Sequence, residues 1–271
     1  MRAVKHPGYC KLCGQFKELT FEHVPPKKAF NSSAVRVFPF DEVIKLYTCS
    51  DGRMPWDISG LKGKIQQKGG GNYYLCRECN NNTGSWYIEE YTTLANTLNQ
   101  MIRSNSLIKG NAYSFKILQM HPLRILKAVM TMFCDINHNC FGDDSLRQFL
   151  LQKESQNFDA NKYSVYMFLT SPNMSRLNEI MAQYNLKDGS TVLASEIIVY
   201  PMGFALYINK PENFKPIGLC INDFCKFSYN HKCEVGFTNI PYIEINSQFP
   251  LDYRTKEQIL SAIEDSKSEE A

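Results

Sequence analysis

Two close cysteine pairs are the residues of this sequence best suited to hold a metal ion: Cys10 with Cys13, and Cys76 with Cys79. Each Cys-x-x-Cys turn presents two thiolates to one ion, and four soft thiolates form the closed tetrahedral set of a structural Zn²⁺. An aromatic residue precedes the first pair and Gly14 follows it, as in a zinc knuckle with a tight turn. We therefore predict one structural zinc that joins two distant segments of the chain.

A second group of residues has the chemistry of a metal-dependent phosphodiesterase. Glu22 and His23 lie between the cysteine pairs, and Asn80 directly follows the last predicted zinc ligand. The imidazole of His23 suits a general base, since a neutral ring is available near neutral pH. Glu22 and Asn80 offer the hard oxygen atoms that Mg²⁺ prefers. Because Asn80 is adjacent to Cys79, the structural zinc would also fix its position.

Three cations lie near these residues in the sequence: Lys27, Lys28 and Arg77. We expect them to bind phosphate groups of the substrate. Residues 1–120 contain 16 Lys+Arg and 9 Asp+Glu, whereas residues 121–271 contain 14 and 18. The basic charge therefore lies in the half that carries the candidate site, which fits a polyanionic substrate. The alternative is an ordinary solvated surface.

A predicted hairpin positions these side chains. Leu19–Val24 predicts a short strand that stops at two prolines, and Asn72–Leu75 predicts a strand that leads into the second cysteine pair. Apolar spacing from Ser85 predicts a helix of about five turns. Successive strand residues point to opposite faces, so Glu22 and His23 can serve one site only if the strand is bulged or twisted at its end.

The rest of the chain shows mixed patterns. Residues 31–72 form a long connection, with a short strand at Val35–Phe38 and a short helix at Glu42–Leu46. Later helices are predicted to begin at Pro122, at an Asp143 N-cap, at Ser171-Pro172 and at a Thr255-x-x-Gln258 capping box that leads to about Asp265. Later strands are predicted at Tyr163–Leu169, Glu196–Tyr200, Phe204–Ile208, Ile217–Ile221, Glu234–Phe237 and Tyr242–Ile245.

The order of these motifs resembles that of the HNH endonucleases, the ββα-metal or treble-clef family, and especially its zinc-containing subgroup. The residues that carry the resemblance are Cys10-x-x-Cys13, Glu22-His23-Val24-Pro25-Pro26-Lys27 and Leu75-Cys76-x-x-Cys79-Asn80. The resemblance covers about residues 9–100 and nothing beyond them.

This resemblance implies roles for individual residues. His23 would activate water, Glu22 and Asn80 would bind one catalytic Mg²⁺ or Mn²⁺ on the scissile phosphate, and the four cysteines would hold structural zinc. The implied reaction is hydrolysis of a nucleic-acid phosphodiester, in DNA first of all, leaving a 5′-phosphate. The cation would stabilise the charge of the phosphorane and of the leaving 3′-oxygen. One such site cuts one strand, so a double-strand break requires a homodimer or two encounters.

Three features depart from the family pattern. Glu22 stands where many relatives have Asp, so it would reach the cation by a longer arm or through water. Asn80 follows His23 by 57 positions, so residues 31–72 must loop out of the hairpin. Many relatives have a histidine at the final position, whereas here Asn80, Asn81 and Asn82 compete for it; we favour Asn80.

Together these features predict an α+β protein of two domains. An HNH-like nuclease domain would span residues 1–110, with 31–72 as an insertion. A larger domain at 115–265, first helical and then rich in strands, would recognise substrate or partner, and the polar tail 266–271 is expected to be disordered. Paired cysteines without an apolar leader or a run of about 18 apolar residues favour the reducing cytoplasm and exclude a membrane protein.

Three other groups allow further interpretations. They are the cluster Cys220, Cys225, His231 and Cys233, the acidic group Asp135, His138, Asp143 and Asp144, and the aromatic residues Trp86, Tyr87 and Tyr91. The first could bind a second zinc, but its irregular spacing favours thiols without metal. The second could bind a cation, but a helix end with an N-cap explains it better. The third could stack on bases, but such a stripe at helical spacing is usually core.

Two rival functions remain open at this point. The same zinc fold could be a non-catalytic module that binds nucleic acid or protein, although pure binding requires no acid, histidine and asparagine in this arrangement. The chain could also be an RNA-cutting toxin or effector, since nothing in the sequence separates RNA from DNA.

Overall fold

The computed structural model describes residues 5–48, 53–137, 139–184, 189 and 191–269. The strands in this part of the chain are β1 Pro7–Tyr9, β2 Phe16–His23, β3 Val35–Val37, β4 Lys64–Gln66, β5 Gly71–Cys76, β6 Ala112–Met120, β7 Tyr163–Thr170, β8 Arg176–Tyr184, β9 Thr191–Val199, β10 Met202–Ile208, β11 Leu219–Cys220 and β12 Cys233–Ile243. The α-helices are α1 Phe40–Thr48, α2 Arg77–Thr83, α3 Glu89–Ser104, α4 Pro122–Ile136, α5 Asp144–Leu151 and α6 Lys256–Glu269. A π-helical turn at Gly84–Ile88 joins α2 to α3. The predicted α+β class is confirmed.

Strands β2 and β5 form the antiparallel hairpin on which the candidate site lies. Their register runs from Leu19 opposite Cys76 to His23 opposite Gly71, and β1 pairs with the other edge of β2. Helix α2 follows β5 directly. Between β2 and β5 the chain forms α1 and a separate two-stranded ribbon, β3–β4. Residues 31–70 therefore leave the hairpin, as the long spacing between His23 and Asn80 requires, whereas Gly71 and Asn72, placed in the predicted insertion, belong to β5.

A second sheet has the strand order β6-β12-β7-β10-β9-β8, and β11 pairs with β7. Its pairs are antiparallel except β12 with β7, which are parallel where Tyr242 lies opposite Leu169. Every residue of β10 is buried. Such continuous burial is expected of a central strand that is covered on both faces.

Helix α4 is the central helix of the molecule, since all its residues except Arg124 are buried. A helix that is covered all round lies inside a core. It contacts β5, α3 and the π-helical turn on one side, and β8 and β9 on another. One hydrophobic core therefore includes Leu75 and Tyr87 together with Phe133 and Val165. The predicted domain boundary near residues 110–115 stays a prediction, and its two sides share this core.

The helix predicted from Ser171-Pro172 is wrong, because this segment forms strand β8. The apolar residues Leu177, Ile180 and Tyr184 match helical spacing, but all three are exposed. A register shift between Asn178 and Met181 explains the misleading pattern. A bulge adds one residue to the strand and so breaks the alternation by which a strand is recognised.

Three other elements differ from the sequence prediction. Strand β6 was not predicted, although its side chains alternate between exposed and half-buried along most of its length. The two strands predicted at Glu234–Phe237 and Tyr242–Ile245 are one strand, β12, with two register shifts. Helix α6 extends to Glu269, so residues 266–269 are helical where disorder was predicted; residues 270–271 lie outside the described part.

The predicted N-cap at Asp143 is confirmed. One carboxylate oxygen accepts hydrogen bonds from the backbone N–H groups of Ser145 (2.8 Å) and Leu146 (3.1 Å). The other accepts from the Lys162 ammonium and the Tyr163 hydroxyl. Burial disfavours the charged form, but these hydrogen bonds outweigh it and lower the pKa of Asp143 to about 2.

We predict that Asp143→Ala lowers the free energy of unfolding by about 1–2 kcal/mol, the usual cost of a lost N-cap. The pKa is lowered from 3.8, so the stabilisation is complete above that pH and is lost as the pH falls towards 2. Urea unfolding at pH 7 should therefore show the whole effect. Asp144→Ala is the matched control, because this neighbour is exposed and its ion pair with Arg147 contributes at most about 1 kcal/mol. Equal losses in the two variants would contradict the prediction.

Candidate functional site

The four predicted zinc ligands come together in the structure. The sulfur atoms of Cys10, Cys13, Cys76 and Cys79 all lie within 4.8 Å of one another. The Sγ atoms of Cys13 and Cys76 are 4.0 Å apart. Tetrahedral sulfurs at a Zn–S distance of about 2.3 Å would be about 3.8 Å apart, so the set has the size of a zinc site. Three of the cysteines are buried and Cys13 is half-buried.

Local backbone contacts place these sulfurs. The N–H of Gly14 donates to the Cys10 carbonyl (2.9 Å) and closes the first turn, where Gly14 has a φ of 71° that favours glycine. The N–H of Lys11 donates to the Tyr74 carbonyl (2.9 Å), which ties this turn to β5. The N–H of Cys76 donates to the Cys10 sulfur (3.3 Å). The two cysteine pairs, distant in sequence, are therefore held together by backbone as well as by any bound ion.

The protonation of these thiols fits cation binding. A hydrogen bond from the Cys79 thiol lowers the pKa of Cys10 to about 4, and the same contact raises the pKa of Cys79. Burial raises the pKa of Cys13. Four crowded sulfurs cannot all ionise unless a cation balances their charge, and a divalent ion supplies that balance. The residues present thus fit a Cys₄ zinc site.

The other candidate clusters do not form comparable sites. In the described ranges, no second group of three or more His, Cys, Asp or Glu side chains lies close enough to hold a metal ion, and Cys220, Cys225, His231 and Cys233 are not such a group. In the acidic group, Asp143 is the N-cap, Asp144 is exposed and pairs with Arg147, Asp135 is buried, and His138 lies outside the described residues. Tyr87 and Tyr91 are buried in the core and cannot stack on bases, whereas Trp86 is half-buried.

Glu22 and Asn80 are brought close together. The Asn80 Nδ2 donates to Thr20 Oγ1 (3.0 Å), and the same amide lies near enough to the Glu22 carboxylate to act on its pKa. Because the amide nitrogen donates to Thr20, Asn80 Oδ1 is the atom suited to bind a cation. Burial raises the pKa of Glu22 to about 7, although the contact from Asn80 opposes this shift. This half-buried carboxyl group therefore lacks a full positive partner and is suited to a cation.

His23 lies beside this pair but faces another way. Its Nε2 is 2.9 Å from the Lys68 carbonyl, and its ring contacts the edge of the Phe21 ring at 5.0 Å. A carbonyl can only accept, so Nε2 carries the proton and Nδ1 is the basic nitrogen. Alternation along β2 places Phe21 and His23 on one side, and Thr20 and Glu22 on the other.

The hairpin contains a bulge, but the bulge is in β5 and not in β2, the strand that carries Glu22 and His23. Thr20 lies opposite Leu75, but Phe21 lies opposite Tyr73, so Tyr74 is the extra residue of β5. A bulge increases local twist and redirects the side chains that follow it. Here the bulged strand is the partner of β2, so the side chains of Glu22 and His23 stay on opposite sides of β2.

Two positioning residues were not predicted. Thr20 holds the Asn80 amide, as described above. Asn31, which is buried, donates from Nδ2 to the carbonyls of Pro25 (2.6 Å) and Gly70 (2.7 Å) and accepts from the Gly70 N–H. Asn31 therefore fastens both ends of the long insertion beside Lys68, the hydrogen-bond partner of His23. The sequence signal for Asn31 was an asparagine followed by two serines, residue types that favour turns and hydrogen bonds to nearby backbone.

The three predicted phosphate-binding cations are exposed and surround the hairpin. Lys27 and Lys28 lie in the turn after β2, and Arg77 begins α2 immediately after Cys76. Of the three candidate asparagines, Asn80 alone has contacts to Thr20 and Glu22 among the described interactions, whereas Asn81 is exposed. The structure thus places Asn80, rather than Asn81, beside the acid.

Comparisons with protein-family models, with curated proteins and with solved structures find no significant match. Within the described part of the chain, no helix has the length and apolar character needed to cross a membrane.

Proposed function

We propose that this protein is a metal-dependent endonuclease of the HNH type that hydrolyses phosphodiester bonds in nucleic acid. One observation carries the proposal: the Asn80 amide lies beside the Glu22 carboxylate next to a Cys₄ cluster, on a β2–β5–α2 unit. That order of elements is the one expected of a ββα-metal, treble-clef site. A purely structural zinc module requires no half-buried carboxyl group paired with an amide at this point.

In this proposal the chain supplies two cation sites. The four cysteines would hold the structural zinc, and Glu22 with Asn80 Oδ1 would hold a catalytic Mg²⁺ or Mn²⁺. When bound, that catalytic cation supplies charge stabilisation to the scissile phosphate and the leaving oxygen. The Glu22 side chain is one methylene longer than the Asp found in many relatives, so its carboxylate would reach the cation from further away. The hydrogen bond to Thr20 limits the motion of Asn80.

His23 would act as the general base. Its Nε2–H is held by the Lys68 carbonyl, so Nδ1 remains to take a proton from the attacking water. The backbone hydrogen bond fixes the tautomer and the ring plane, which is the role of such partners at catalytic histidines. Lys27, Lys28 and Arg77 would bind phosphates on either side of the cut.

DNA is the substrate that we expect first, on the strength of the family resemblance and of the basic first half of the chain. A reducing compartment, the cytoplasm, suits the nine described cysteines, which are all free thiols. A homodimer would be needed for a double-strand cut in one encounter.

Glu22→Gln tests the proposal, because it keeps the shape of the side chain and removes the charge that would bind the cation. Zinc-loaded protein is incubated with supercoiled plasmid and separately with RNA, each with Mg²⁺ or Mn²⁺ and each with a chelated control. We expect metal-dependent plasmid nicking that falls by at least about 10- to 100-fold in Glu22→Gln. Glu18→Gln, an exposed glutamate of the same strand, is the matched control and should cut normally.

The other outcomes are equally informative. Cleavage of RNA but not plasmid would identify the RNA-cutting alternative. Zinc binding without any cleavage would favour the non-catalytic module. Nicking by Glu22→Gln at the rate of the parent protein would refute the assigned role of this carboxylate.

A further inference from the structure

Asp135 is the most unusual buried group outside the site described above. Its side chain is 1% exposed, and its Oδ1 has no hydrogen-bond partner among the described residues. It lies near the end of α4, a buried helix whose other polar residues include Lys127 and Thr131. A buried carboxylate oxygen without a partner is costly, and such atoms in native proteins often face an ion or a water.

Helix α4 brings Asp135 to the candidate site. The contact between Lys127 of α4 and Tyr87 of the π-helical turn gives a reference point, with Lys127 Nζ 5.6 Å from the centre of the Tyr87 ring. Asp135 is eight residues further on, about 12 Å along the helix, and Asn80 is seven residues before Tyr87, about 10 Å along its own helix. His121, just before α4, binds Glu90 of α3 through its backbone N–H and its ring Nδ1. These two contacts show that the two segments run in opposite directions, so Asp135 lies level with Asn80.

Two further observations place the same end of α4 beside β2 and the first cysteine turn. Cys140, in the turn after α4, donates from its sulfur to the Lys11 carbonyl (3.3 Å). Burial first, and then the nearby charge of Glu22, raise the pKa of Asp135 well above its ordinary range. Asp135 therefore lies near Glu22, on a helix that also contacts β5.

We propose that Asp135 is a third protein ligand of the divalent cation that Glu22 and Asn80 bind. This proposal rests on the proposed function, since it concerns the same catalytic cation. Two carboxylates and one amide oxygen form a hard donor set with enough negative charge for Mg²⁺ or Mn²⁺ and leave the other positions to water and phosphate. The acid comes from α4, so the second half of the chain would complete the nuclease site.

The test is Mn²⁺ binding to zinc-loaded protein, followed by the electron paramagnetic resonance signal of free Mn²⁺. Asp135→Asn should weaken Mn²⁺ binding about 10- to 100-fold while the protein keeps one zinc per chain. Thr131→Val is the matched control, because this hydroxyl lies one turn earlier on α4, is also buried and also lacks a partner among the described residues. It should bind Mn²⁺ like the parent protein.

Thermal unfolding without Mn²⁺ separates a ligand from a structural residue. Asparagine is neutral, so Asp135→Asn should unfold at the same temperature as the parent or higher, since it removes a buried acid without a partner. A purely structural role would lower the unfolding temperature and leave Mn²⁺ affinity unchanged. That pattern would overturn the proposal.

A second measurement needs no variant. Fe²⁺ substituted for Mg²⁺ in the parent protein, with ascorbate and peroxide, cleaves the backbone close to the bound ion. Cuts near residues 22, 80 and 135 would support the proposal, whereas cuts near 22 and 80 without one near 135 would overturn it. Parent protein that binds no Mn²⁺ and cuts no nucleic acid would refute the proposed function itself, a result distinct from both.

Discussion

Replacing His23 by alanine should lower the rate of metal-dependent plasmid nicking by about 10²- to 10⁴-fold, the usual contribution of a positioned general base. The structure assigns the proton of this ring to Nε2, which faces the Lys68 carbonyl, and leaves Nδ1 to accept a proton from water. Alanine removes that acceptor and no buried packing, because the His23 side chain is only partly covered. The rate constant under excess enzyme reports the chemical step without the contribution of product release.

Two controls make the result specific. His231→Ala removes an exposed histidine outside the candidate site, which packs against Phe227, and should nick plasmid like the parent protein. His23→Ala should keep its zinc and its unfolding temperature, since His23 is not a zinc ligand. Imidazole added to His23→Ala should restore part of the rate. A variant that nicks as fast as the parent protein would show that another group takes the proton.

Replacing Cys76 by serine should have the largest effect on stability. Cys76 lies at the junction of β5 and α2, is 2% exposed and has its sulfur within 4.8 Å of the other three. Serine binds Zn²⁺ poorly, so the variant should hold much less than one zinc per chain. Loss of a structural metal belongs to the class of changes that cost more than about 4 kcal/mol. In a chain of this size that loss corresponds to an unfolding temperature lower by roughly 10 °C.

Zinc content and thermal unfolding, measured on the same sample, check this prediction. Cys220→Ser is the matched control, because Cys220 is an exposed cysteine outside the cluster and should change neither quantity. The nicking activity of Cys76→Ser should fall together with its zinc content, since Asn80 is placed by the helix that begins after Cys76. Full zinc occupancy in the variant would mean that the four sulfurs are neighbours without being ligands.

Local patterns predicted the members of the four-cysteine cluster. Each Cys-x-x-Cys pair forms within a single turn, and Asn80 is one residue from Cys79, so short-range spacing relates the cysteines of each pair to each other and Asn80 to Cys79. The N-cap at Asp143 and the capping box at Thr255 and Gln258 are local in the same sense. Features of this kind depend only on residues that are close in the sequence, so they can be predicted from one sequence.

Long-range features were predicted less well. The bulge in β8 gave an apolar pattern of helical period, so the strand was taken for a helix. Asp135 was assigned to a helix end, because its closeness to Glu22 depends on how α4 packs against the hairpin. Asn31 fastens the insertion through contacts to residues up to 39 positions away. Hydrophobic periodicity indicates local secondary structure and does not indicate contacts between residues that are distant in the sequence.

The π-helical turn at Gly84–Ile88 sets the rotational phase between the two halves of one long helix. Buried residues recur every fourth position at Cys79, Thr83, Tyr87 and Tyr91. In a regular α-helix this spacing would drift by about 40° per step, or roughly 120° over three steps, close to the 100° that one extra residue absorbs. Removing a single residue from this turn would therefore rotate the Asn80 amide away from Glu22 by about a quarter of a revolution, although no residue of the site itself would have been substituted.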